Sequence, residues 1–134
     1  MGYDCYSVQG EEYYRVNVWG MQTLREGMYA TNILTEEIPS PDFPQHEPFD
    51  EEEQYEAYRA SLTPILSQTS PDGRIPDWKF GSNDGWIVTP AECLLIVQNL
   101  PRYEIEFKNG MRDKFKEFID FARTCSTLGG FTVH

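Results

Sequence analysis

The sequence predicts an α+β fold: a mostly antiparallel sheet of two hairpins and a C-terminal strand, with three or four helices packed against it. Three observations carry that prediction. Two β-rich runs flank a short glycine-containing turn near the start, and a second such pair is read around residues 81–85. Between and after them, apolar residues recur at three- and four-residue steps, the mark of amphipathic helices. A short β-rich tail, Phe131-Thr132-Val133-His134, follows a Gly-Gly pair. The chain has 134 residues, 40% hydrophobic and 14% aromatic, which suits one domain with a core of its own.

In order, Tyr3–Val8 and Tyr13–Trp19 read as a hairpin around Gln9-Gly10-Glu11. A period of two puts Tyr14, Val16 and Val18 on one face, and Tyr13, Arg15, Asn17 and Trp19 on the other. Met21–Leu34 reads as a helix through Met21, Leu24 and Met28, with Gly27 weakening it. Residues 36–50 hold Pro39, Pro41, Pro44 and Pro48, so no regular element is expected in this acidic loop at about 35–50, which Phe43 and Phe49 are expected to pin down. Asp50–Glu53 then opens a helix through Tyr55, Tyr58, Leu62 and Ile65 or Leu66, broken at Pro64. Ser70-Pro71-Asp72-Gly73 is a turn. Residues 77–80 and 86–88 read as a second hairpin around Gly81-Ser82-Asn83-Asp84-Gly85. Thr89-Pro90-Ala91-Glu92 is a capping box that starts a helix to Asn99, apolar all round and so expected to be buried. Residues 103–107 alternate like a strand or extended linker, and Asn109-Gly110 marks a turn. Met111–Thr127 is the last helix, with Met111, Phe115, Phe118, Ile119 and Ala122 on its core face.

The formal charge is -11, and it is unevenly spread. Residues 1–67 hold 13 acids and 3 bases; residues 68–134 hold 9 acids and 8 bases. No Lys or Arg lies between Arg25 and Arg59, a stretch that contains Glu36, Glu37, Asp42, Glu47, Asp50, Glu51, Glu52 and Glu53. Such a balance excludes nucleic-acid binding by phosphate neutralisation. The plain reading is a solvated face that keeps the protein soluble. The sharper one is a docking surface for a protein partner with a basic surface. Two variants are mimicry of DNA phosphates, for which a short cluster and four prolines give thin support, and an internal contact with the basic last helix.

Catalytic signatures are absent: there is no GxxxxGK[ST], GxGxxG, GxSxG or HExxH. His46 and His134 have no partner at ligand spacing, so neither a metal nor a cofactor is expected. Cys5, Cys93 and Cys125 have no CxxC spacing and are expected to be reduced, buried thiols of a cytoplasmic protein. The longest apolar run, Leu94–Val97, is far too short to cross a membrane. The first residues, Met1–Tyr6, lack the pattern of a signal peptide.

Two segments concentrate polar groups. Arg15 and Asn17 share a strand face with Tyr13 and Trp19, either as the wet side of an edge hairpin or as a binding face. Lys79, Ser82, Asn83, Asp84 and Trp86 fall between two aromatic runs, either as turn formers or as the rim of a small recognition pocket. Read together, Arg15 and Lys79 would clamp an anion and Asp84 would act as base. The blocks Tyr14–Met21, Lys79–Glu92 and Gly129–Val133 resemble a family of small uncharacterised proteins from actinobacteria and their phages. That resemblance implies a provenance and no mechanism; the acidic stretch lies outside it. The expectation for function is a non-enzymatic interaction protein of phage or mobile-element type. The alternatives are a small-ligand-binding protein or enzyme using Arg15, Asn17, Lys79, Asn83 and Asp84, and an immunity protein against a toxin.

Overall fold

A computed structural model of the chain describes residues 2–103 and 111–134. The alternation at 104–107 and the Asn109-Gly110 turn lie outside the described residues. β1 (Gly2–Ser7) and β2 (Tyr13–Asn17) form the first hairpin, with Cys5 opposite Tyr14 and Asp4 opposite Arg15. Cys5, Tyr14 and Val16 point into the core, and Tyr6, Tyr13 and Arg15 point out, as the period of two requires.

β2 stops sooner than its alternation predicts. Asn17, the last residue of β2 and opposite Gly2, caps α1 (Val18–Ala30), its Oδ1 accepting from the Gly20 N–H at 2.7 Å. Trp19 therefore belongs to the first helical turn, where it is 77% exposed, and does not share a strand face with Arg15. Met21, Leu24 and Met28 are buried as their spacing demands. Gly27 is required by close packing: a Cβ there would lie 2.9 Å from the Phe115 ring and 3.2 Å from Leu100 and Tyr103. α1 ends before Leu34, because Asn32 takes a left-handed turn at φ 62. Leu34 and Thr35 instead form β3, which pairs in parallel with β4 (Ile75–Pro76).

Between those two strands the chain runs through the proline-rich loop, α2 (Glu52–Ser61) and α3 (Thr63–Leu66). Pro64 divides the helices, since it cannot donate to the preceding turn. No residue of α2 is buried.

The second hairpin does not form. Asp77–Phe80 is a single 3-10 turn, and only β5 (Trp86–Val88) is a strand. Strand alternation would send Lys79 and Phe80 to opposite faces, whereas the 3-10 turn buries both. α4 (Pro90–Asn99) carries the full capping box: Thr89 Oγ1 accepts from the Glu92 N–H, and Glu92 Oε1 accepts from the Thr89 N–H at 2.9 Å. The helix is not buried all round, for Leu94 faces solvent. In α5 (Met111–Cys125), Phe115, Phe118 and Ala122 are in the core; Phe121 and Cys125 join them, while Met111 and Ile119 are half-buried.

β6 (Phe131–Val133) completes a four-stranded antiparallel sheet in the order β2-β1-β6-β5. Gly130 leads into it at φ +91, where a Cβ would lie 2.0 Å from the Val88 carbonyl oxygen. α1, α4 and α5 cover the core face of the sheet. On the other face, α2 and α3 approach only the β5–β6 end. Among the described residues no helix is long and apolar enough to cross a membrane.

Candidate functional site

The polar residues singled out from the sequence do not converge on one cavity. Arg15 is on β2, one edge of the sheet, where it forms a cross-strand ion pair with Asp4 at 2.7 Å. That guanidinium, helped by the Tyr13 hydroxyl, holds the Asp4 carboxyl below its usual range. Arg15 and Asn17 border a hollow with Met111 and Lys114, and Lys114 Nζ donates to the Arg15 carbonyl at 3.0 Å.

Lys79 is no anion clamp. Its side chain is 0% exposed, and its Nζ donates to Glu92 Oε1 at 2.7 Å, with Glu92 itself only 2% exposed. Burial pushes the Glu92 carboxyl up and the Lys79 ammonium down, while their mutual attraction opposes both shifts. Glu92 Oε1 thus serves the ion pair and the capping box together, and Oε2 has no hydrogen-bond partner among the described residues.

Ser82, Asn83, Asp84 and Trp86 are partly structural. The Trp86 indole N–H donates to Ser82 Oγ at 2.8 Å, and Ser82 Oγ donates to Asp84 Oδ2 at 2.7 Å. Among the described residues Asn83 makes only a long contact, 3.5 Å, to the Gly2 carbonyl. Trp86 is buried against Trp78, ring centroids 4.4 Å apart.

This tryptophan pair anchors the acidic segment. Phe43 stacks on Trp86 at 5.4 Å, and the Trp78 indole N–H donates to the Ile38 carbonyl at 3.1 Å. Farther along, His46 stacks on Phe49 at 4.3 Å and meets Tyr58 at 4.4 Å, while the Tyr58 hydroxyl donates to the Pro44 carbonyl. Phe49 therefore packs inside the segment against α2, and Phe43 alone of the two reaches the body. Together the loop and α2 make a lobe built on rings. Glu37 lies 3.7 Å from Arg74, and Glu36 accepts from Tyr29. Among the described residues no cation pairs with Asp42, Glu47, Asp50, Glu51, Glu52, Glu53 or Glu56. In α5, Lys114 pairs with Glu117 and Arg123 with Asp120, and among the described residues no cation of this helix pairs with the acidic lobe.

Sequence reasoning missed a cleft on the outer face of the sheet. It has a volume of about 350 Å³ and lies between α2–α3 and the β5–β6 end. Arg59, Leu62 and Leu66 line it from the helices, and Asp84, Ile87, Thr132 and His134 from the sheet side. His134 Nε2 is 3.0 Å from Thr132 Oγ1, which fixes the imidazole. The only available signal was the outward position of Ile87 and Thr132 in register across β5 and β6.

The thiols are poor nucleophiles. Burial pushes Cys125 up to about 11 and Cys5 up to about 12, and raises Cys93 further still. All three are free and buried. Among the described residues no group of three His, Cys, Asp or Glu is arranged to hold a metal ion. Comparison with protein-family models, with curated proteins and with solved structures finds no match to the chain.

Proposed function

We infer that the protein is a small, non-enzymatic interaction module that docks the acidic lobe of residues 36–56 against a basic surface on a protein partner. One observation carries this reading. Seven carboxylates without a cation partner among the described residues are presented on a segment fastened by Phe43, His46, Phe49 and Tyr58. A solvated loop kept only for solubility has no need of such fastening, whereas pre-organisation lowers the ordering cost of binding. No residue of α2 is fully buried, and Tyr55 is exposed among its acids, so an aromatic contact is offered within the charged face. A partner bearing Lys and Arg would gain encounter rate and register from this field. A host-directed role, of the kind a phage or mobile element uses, fits the resemblance of the Lys79–Glu92 block.

The test is co-purification from host lysate at several salt concentrations. A stoichiometric partner that is lost as salt rises is the expected result. Recovery of no partner at any salt, or equal recovery with Glu51, Glu52 and Glu53 all changed to Gln, rejects the reading.

A further inference from the structure

We propose that the cleft between α2–α3 and the outer face of the sheet binds a small zwitterion with an aliphatic body, of the free amino acid class. The site is independent of docking at the acidic lobe.

Charge is the first argument. Arg59 and Asp84 line the same cavity but do not reach ion-pair distance of one another. Neither has another charged partner among the described residues: Arg59 only lies over the Tyr55 ring at 6.0 Å, and Asp84 only accepts from Ser82. The arrangement leaves a cation and an anion in the lining of one cavity, beyond ion-pair distance of each other. A molecule carrying a carboxylate and an ammonium fills that space with two charge-assisted contacts, the guanidinium taking the carboxylate as a fork.

Shape is the second. Leu62 and Leu66 on one side and Ile87 on the other make the walls apolar. A cavity of about 350 Å³ stands at the small end of ligand sites, which run from about 300 to 1,000 Å³. Thr132 and His134, held together at 3.0 Å, provide fixed polar atoms in the lining. The His134 ring lies against Gly85, where an added Cβ would come within 3.1 Å of Cε1, so a side chain at 85 would crowd the imidazole.

The experiment titrates the full chain with leucine, N-acetylleucine and leucinamide, following the amide and imidazole resonances of Thr132 and His134. Leucine is expected to shift them saturably, and each capped analogue to bind about tenfold more weakly. Arg59→Gln should erase the preference for leucine over leucinamide, and Asp84→Asn the preference over N-acetylleucine. No saturable shift with leucine up to about 10 mM overturns the proposal, as does equal binding of all three probes. Unchanged preferences in both variants, with native amide spectra, overturn it too. Because lobe docking is read by co-purification, failure of one leaves the other standing.

Discussion

Replacing Lys79 by Met tests the buried ion pair directly. The side chain keeps its length and apolar stem, but Glu92 is left charged, desolvated and without its cation. Removing one member of a buried pair costs about 3–5 kcal/mol, chiefly the penalty of the stranded charge. A chain of 134 residues unfolds with an entropy of about 0.28 kcal/mol/K, so the melting temperature should fall by about 11–18 °C. The pH dependence identifies the cause. In Lys79→Met the folded-state carboxyl is raised above its unfolded value, so the folded state holds the extra proton and the deficit shrinks as pH falls toward the unfolded carboxyl range, about 4. In Glu92→Gln the folded-state ammonium is lowered, the unfolded state holds the extra proton, and the deficit shrinks as pH rises toward about 10. The assay is thermal unfolding by circular dichroism across pH for both single variants and the double variant. The double variant should recover at least half of the summed single losses, since neither charge is then stranded. Melting within about 3 °C of the parent for Lys79→Met, or pH slopes of the same sign in both single variants, would refute the reasoning.

Further outcomes follow from other contacts. Gly130→Ala places a Cβ against the Val88 carbonyl at a positive φ and should cost at least about 2 kcal/mol in urea unfolding. Phe43→Ala should cost no more than about 1.5 kcal/mol globally yet sharply accelerate proteolytic cleavage within residues 36–50, because the ring is that loop's stacking contact with Trp86. Trp19→Ala should change stability by no more than about 0.5 kcal/mol, the side chain being 77% exposed. Native protein should leave Cys5, Cys93 and Cys125 unreacted with a thiol reagent at neutral pH, and all three should label after denaturation.

The parts legible in the sequence were those encoded within a few residues. The Thr89–Glu92 box is complete in four positions, and the alternation of β1 and β2 is written in consecutive side chains. Asn17 shows the limit of that reading. Its alternation matched a strand, but its amide also caps, and the capping of α1 won. The 77–80 misreading has a longer-range cause: Lys79 is drawn inward by Glu92, thirteen residues on, and nothing in Asp77-Trp78-Lys79-Phe80 announces that partner. The cleft was equally hidden, since Arg59, Asp84 and His134 meet only when α2 lies over the closed sheet. The acidic segment was visible as charge; its fastening to Trp78 and Trp86 was not.

The position of β6 between β1 and β5 means that a stretch near one end of the sequence is the middle of the sheet. On a ribosome, β1 emerges long before its inner neighbour, since Cys5 pairs with Val133 far along the chain. Until then β1 and β5 are both open edges, able to pair with another chain. The sheet closes in a single late step between segments far apart along the polymer, which predicts slow folding for so small a domain. The same geometry makes loss of the residues from 129 to 134 the removal of a keystone.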